Sequence, residues 1–211
     1  MRPLASFFSL LLLPGAWALP QDVVESATGA KFKQTRTFLD RERGRPVTAV
    51  GTAVRTRDGF RFYTLCLYVD LAELRAKAKK GPRDPESLGR LLIQGGVSHA
   101  FVTNFYEGVA GRRRLEFLVE NVRKSWPEFE PAAADLKRFL TFFQEDLKRG
   151  DTTEVWIDAQ GHIYGRRGTR EPVLARSPKL GHAFTATYFG EAAMDPQFKK
   201  QLLGELALAL D

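Results

Sequence analysis

The sequence has almost none of the residue arrangements that build metal centres or disulfide scaffolds. Cys66 is the single cysteine in 211 residues, and one thiol cannot close a loop. His99, His162 and His182 are the only histidines and lie far apart, without the paired spacing of a zinc site, so no metal is expected. A Walker loop, Gly-X-Gly-X-X-Gly, His-Glu-X-X-His and Gly-X-Ser-X-Gly are all missing. Their absence argues against nucleotide cradling, zinc proteolysis and a serine nucleophile elbow, and no cofactor is expected. Self-similarity at solenoid periods and sustained heptads are missing too, which excludes repeat and fibrous architectures.

What is present describes one ordinary globular domain. Residues are 44% hydrophobic and 27% charged, too apolar for disorder, and sixteen phenylalanines supply core volume without a staple. Arg2, the apolar run Leu4 to Leu13, the helix-breaking Pro14-Gly15 and the small-x-small Ala16-Trp17-Ala18 form an export signal. Residues 1–18 are therefore expected to be cut off, leaving 19–211 as a single domain, periplasmic or secreted. A bilayer-spanning helix needs about 20 apolar residues, and Pro14-Gly15 falls where it should continue. No stable membrane insertion is expected once the signal is gone. The formal charge of +7 is spread over Lys77, Lys79 and Lys80, Arg112 to Arg114, and Arg166-Arg167, with acidic residues between. Nucleic-acid binding would want these on one face with interleaved aromatics, so no nucleic-acid partner is expected.

From Val47 to Asp70 the pattern predicts two strands joined at Arg57-Asp58-Gly59, a hairpin turn. In the second strand both alternating faces are largely apolar, which places it mid-sheet with material packed on each side. Short helices follow over Leu71 to Lys80 and Pro85 to Leu92, then a strand from Val97 to Tyr106. A helix from Gly111 carries Leu115, Leu118, Val119 and Val122 and stops at Pro127. The next starts at Pro131 with Leu136, Phe139, Leu140, Phe143 and Leu147 as its buried stripe. Thr153 to Asp158 and His162 to Gly165 read as a hairpin, followed by a loop, a helix from Pro178 to Phe189 and a last helix from Asp195-Pro196. Interleaved helices and antiparallel hairpins make this α+β.

Polar residues on apolar stripes are the candidates for chemistry. Alternation puts Gly51, Ala53 and Arg55 on one strand face, with room beside the guanidinium. A regular hairpin sets Tyr63 directly across from Arg55. An arginine and a phenol side by side can receive a carboxylate or phenolate; stacking at a surface is the alternative. Thr187 and Tyr188 fall on the apolar face of the Pro178 helix, where Thr187 can also satisfy itself on a carbonyl one turn back. Arg114, Phe117 and Asn121 form a side stripe whose plain reading is a solvated flank. Cys66, between Leu65 and Leu67, reads as a packed thiol.

The chain resembles the chalcone isomerase-like proteins, specifically their exported bacterial branch. The resemblance covers roughly Ala27 to Leu208. It rests on Phe184-Thr185-Ala186-Thr187-Tyr188-Phe189-Gly190, on Asp195-Pro196-Gln197-Phe198 through Leu203-Gly204, on Leu147-Lys148-Arg149-Gly150-Asp151, and on the strand pair Gly51 to Arg55 and Phe62 to Tyr68. It implies an open-faced β-sandwich, a large antiparallel sheet with helices packed on it and a ligand cleft between them. Arg55 falls on the strand arginine that stabilises a phenolate in the plant enzymes, Thr187 on a cleft threonine, and Asn121 on a cleft asparagine. The sequence departs at two places: Tyr63 stands where the enzymes have threonine, and Arg114 where they have tyrosine. In relatives that bind fatty acids an arginine and a tyrosine hold the carboxylate, a role Arg55 and Tyr63 match.

The expected function is binding of a small amphipathic acid or phenolic ligand in an apolar cleft lined by Arg55, Tyr63, Asn121, Thr187 and Tyr188. One alternative is an intramolecular lyase of the chalcone–flavanone type, an isomerase in which Arg55 is catalytic: it lowers the substrate phenol's pKa while hydroxyls meet the enolate. The other is a protein-interaction module without a small ligand, favoured if Phe and Leu side chains fill the cleft.

Overall fold

A computed structural model describes residues 22–37, 46–57, 59–79, 81 and 83–210. The signal expected over residues 1–18 and Asp58 of the hairpin turn lie outside the described residues. The strands are β1 (Val23–Val24), β2 (Lys31–Phe32), β3 (Thr35–Thr37), β4 (Pro46–Arg57), β5 (Phe60–Val69), β6 (His99–Phe105), β7 (Thr152–Ile157), β8 (Ile163–Arg167) and β9 (Val173–Ala175). The helices are α1 (Leu71–Ala78), α2 (Pro85–Gln94), α3 (Gly111–Ser125), α4 (Ala134–Gln144), α5 (Pro178–Phe189) and α6 (Pro196–Leu208).

β3 to β9 form one sheet in chain order, every pair antiparallel. β5 lies between β4 and β6 and buries both of its faces. Leu65, Leu67 and Val69 join the large core under the helices, while Cys66 and Tyr68 join a smaller cluster on the opposite face with Phe32, Val47, Ala100, Val102 and Trp156. Phe32 belongs to the β1–β2 hairpin, so the outer face of the sheet carries a small cover of its own.

Local chemistry fixes the helix starts. Asp70, Asp84, Ser177 and Asp195 cap α1, α2, α5 and α6 with side-chain oxygens on first-turn N–H groups. The last three are each followed by proline, whose missing N–H costs nothing there. The start of α3 is capped from a distance: the Gly111 N–H donates to Asp146 at 2.7 Å. Any side chain at Gly111 would collide with the Gln144 carbonyl, its Cβ only 1.8 Å away. The start of α3 is thereby locked against the end of α4.

Several expectations are corrected. The helix expected from Pro131 begins at Ala134, and Leu147 lies beyond it, bridged to Val109. The stretch read as loop after Gly165 contains β9, three residues long and too short to show a period. The β4–β5 hairpin is irregular at its end: Arg55 faces Tyr63 as expected, but Thr56 pairs with Arg61 and Arg57 with Phe60. The room expected beside Gly51 belongs to α6, whose Leu202 carbonyl and Glu205 Cβ would stand 3.3 and 3.2 Å from a Cβ there. The small residues of β4 thus admit a helix, and Glu205 takes the Thr52 N–H at 2.8 Å.

Candidate functional site

A cavity of about 680 Å³ lies between the inner face of the sheet and helices α3, α4 and α5. Its wall is mainly apolar, with Phe105, Leu118, Phe142, Phe143, Val155 and Phe184 among its residues. All five residues expected to contact a ligand line it: Arg55, Tyr63, Asn121, Thr187 and Tyr188. They come from four different elements.

What each can offer differs. Arg55 donates from Nη1 to Asp195 Oδ2. The other oxygen of Asp195 caps α6, accepting from Gln197 and Phe198 N–H at 3.0 and 3.1 Å. Sequence reasoning did not pair these two, which stand 140 residues apart. Tyr63 and Tyr188 keep their rings packed, Tyr63 edge-on to Phe198 and Tyr188 stacked on Phe101 at 4.3 Å. Neither hydroxyl has a hydrogen-bond partner among the described residues, and burial pushes both phenols up, so both remain neutral donors. Thr187 donates to the Phe184 carbonyl at 2.7 Å, the back-bond foreseen for it, which leaves its lone pairs for the cavity. Asn121 is occupied on its own helix: Nδ2 donates to the Phe117 carbonyl and Oδ1 accepts from Lys124.

The solvated flank expected for Arg114, Phe117 and Asn121 is not what forms. Arg114 and Asn121 are buried and only Phe117 is exposed, at the rim of the cavity. Arg114 reaches α4, donating from Nη1 to the Phe142 and Glu145 carbonyls at 3.1 and 2.8 Å, with its guanidinium over the Phe142 and Phe143 rings. Burial, and then the charge of Arg167, lowers its pKa to about 10. Two further wall residues, Thr103 and Thr153, face each other across β6 and β7. Period-2 alternation puts Thr103 on the face of Phe101 and Phe105, and Thr153 on that of Val155; that was the signal for both.

Residues outside the cavity are spoken for. His99 is sealed under α5, with Nδ1 on the Val97 carbonyl and Nε2 on the Thr185 hydroxyl, each at 2.9 Å; desolvation lowers its pKa to about 4. Cys66 is fully buried on the outer face, and burial raises its thiol to about 12, which makes it inert.

No protein-family model matches this sequence, and no curated protein matches it. Among solved structures, the crystal structure of a fatty-acid binding protein from Arabidopsis thaliana matches with a TM-score of 0.67 at 18% identity, covering 90% of this chain and 100% of that one. At that identity the likeness is one of fold. The protein has the α+β fold of the chalcone isomerase-like proteins, with an antiparallel seven-stranded sheet and six helices packed on it among the described residues. No helix among the described residues is long and apolar enough to cross a membrane.

Proposed function

We propose that the protein is an exported member of the chalcone isomerase-like group that binds a small amphipathic acid, fatty or phenolic, in this cavity. The observation that carries the reading is the composition of the wall: about 680 Å³ bounded by aromatic and aliphatic side chains, interrupted by guanidinium groups and by tyrosine hydroxyls without a partner among the described residues. Apolar walls take up a hydrocarbon or ring, and a few convergent polar groups orient it. Arg55, Tyr63, Asn121, Thr187 and Tyr188 are the proposed contacts. The fold neighbour's description as a fatty-acid binding protein supports the ligand class. An open cavity also removes the condition that favoured an interaction module, a cleft filled by Phe and Leu.

Native mass spectrometry of protein purified from its own cells tests the reading, with calorimetric titration of straight-chain and phenolic acids beside it. A co-purified acid, or micromolar binding of one class, is expected. Binding of none, together with cyclisation of a hydroxychalcone at an enzymatic rate, would replace this reading with the lyase. Export is tested separately: N-terminal sequencing should find Leu19 on protein released by osmotic shock, and uncut protein in the inner membrane would contradict it.

A further inference from the structure

Of the three arginines that line the cavity, Arg55 and Arg114 are electrically unlike. Arg55 and Asp195 make one cation against one carboxylate, a neutral pair. Around Arg114 the carboxylates have other partners: Glu145 is held by Arg167 and Arg170, and Asp151 by Arg167. Arg114 has no carboxylate within ion-pair distance among the described residues. Only its Nη1 is engaged, on two main-chain carbonyls. Nε and Nη2 make no hydrogen bond among the described residues and are not sealed from solvent, and Arg114 lines the cavity. Arg113, exposed and without an ion pair among the described residues, borders the same end.

The geometry points to Arg114 as the residue that receives the ligand's anionic head, with the chain running toward Tyr63 and Tyr188 and the neutral Arg55–Asp195 pair beyond. This rests on the acid-binding reading above and fixes the direction in which the acid lies. The physical reason is desolvation. A carboxylate brought to Arg55 meets Asp195's charge directly, whereas at Arg114 it meets a buried cation with two unused donors, whose neighbouring carboxylates Glu145 and Asp151 are already paired with Arg167 and Arg170. The α4 carbonyls hold the guanidinium in place, so little is spent on ordering it. The two arginines come from different sides of the cavity: Arg55 is on β4, and Arg114 is on α3, where it feels the charge of Arg167 on β8, four strands along the sheet from β4.

The test titrates the full mature chain with decanoate and with decan-1-ol, which share a tail and differ in head charge. Wild type should bind the acid more tightly than the alcohol. Arg114→Gln should lose roughly 10- to 100-fold in decanoate affinity, the range of a bond to a charged group, with decanol affinity within about 2-fold of wild type. Arg55→Gln should move both ligands alike. Arg112→Gln, an exposed arginine paired with Glu116, serves as the charge control and should move neither. A selective loss of the acid in Arg55→Gln, or equal losses of acid and alcohol in Arg114→Gln, would overturn the assignment. If wild type binds neither ligand, nor any other acid, the acid-binding reading has failed before the assignment is reached. Should Arg114→Gln not fold, a crystal structure of wild type with decanoate decides: a carboxylate on Arg114 Nε and Nη2 supports the assignment, and one on Arg55 overturns it.

Discussion

The two faces of the sheet carry similar residues and do opposite things with them. On the outer face Glu154 is buried, and it is closed in from three sides. Arg36 and Arg166 reach it at 2.6 Å each, the Trp156 indole donates at 2.9 Å, and the Arg36 guanidinium lies 5.4 Å from the centre of the Tyr68 ring. Tyr68 gives its hydroxyl to the Lys33 carbonyl, and Glu25 takes N–H groups of the β1–β2 turn. On the inner face Arg55 meets only Asp195 and Arg114 only main-chain carbonyls, while the Tyr63 and Tyr188 hydroxyls have no partner among the described residues, and all four border a void. A folded protein keeps buried polar groups paired because an unpaired one costs about 1–3 kcal/mol. Two tyrosine hydroxyls without a partner among the described residues, gathered at one cavity, are therefore more informative than either alone. The outer face pairs Glu154 and Tyr68 and leaves the Nε atoms of Arg36 and Arg166 sealed without a partner among the described residues.

The largest effect should come from opening the outer cluster. Glu154→Ala leaves two cations facing each other with nothing between them, and a loss of about 3 kcal/mol in unfolding free energy is expected, since breaking a buried pair strands its partner. Decanoate affinity should stay within about 2-fold of wild type, a difference of less than 0.5 kcal/mol. Chemical denaturation and calorimetry on the same preparation check both, and a loss of binding without loss of stability would erase the distinction between the faces.

Acid should strike next, through the sealed part of the inner face. His99 is buried neutral, with its pKa near 4 against 6.5 in an unfolded chain. Between those values the unfolded state binds the extra proton, so stability is full above pH 6.5 and falls as pH drops toward 4, by up to about 3 kcal/mol. Carboxylates with lowered pKa, Glu25 among them, add to the loss below that range. Melting temperature measured from pH 7.5 to 4.5 should fall, and His99→Gln should flatten the slope; an equally steep slope in the variant would place the titration elsewhere.

Cys66 gives a smaller change. Its thiol lies in the outer apolar cluster, so Cys66→Ala should cost about 1–3 kcal/mol, as other small core deletions do, and leave decanoate affinity alone. Rapid labelling of the native thiol by an aqueous reagent would show that the cover formed by β1 and β2 is not closed.

How much of this was legible in the sequence depends on the range of the interaction. β5 was readable as a central strand because its alternation is apolar on both sides, and both faces are indeed filled. The bounds of α5 and the start of α6 were readable because Ser177-Pro178, Gly190 and Asp195-Pro196 carry local start and stop chemistry. The facing of Arg55 and Tyr63 follows from counting back from a turn. By contrast β1, β2 and β9 span two or three residues, too few for a period, and exist because neighbours pair with them. The site shows the same division. That five residues share one cavity followed from strand and helix faces together with the family resemblance. The partners that set their charge did not: Asp195 meets Arg55 across 140 residues, and the α4 carbonyls meet Arg114 across some 30. Nothing local in the chain encodes either contact.

The smallest predicted effect separates the two tasks of Asp195, which belongs to the inner face but behaves like the outer one. One oxygen caps α6 and the other holds Arg55, and the pair is about a quarter exposed on each side. Solvent screening makes such a pair weak, under about 1 kcal/mol, while loss of a helix cap costs about 1 kcal/mol. Asp195→Asn keeps a capping oxygen and removes the charge, so it should cost only about 0.5 kcal/mol. Asp195→Ala removes both and should cost about 1.5 kcal/mol. In an Arg55→Ala background, which has no ion pair left to lose, the Asn change should become neutral and the Ala change should fall to the cap term alone. Thermal melts of this double-mutant cycle read both terms. If Asp195→Asn proves as costly as Asp195→Ala in the wild-type background, the ion pair dominates over the cap, and the Arg55 end of the cavity is held together by charge as firmly as the cluster around Glu154.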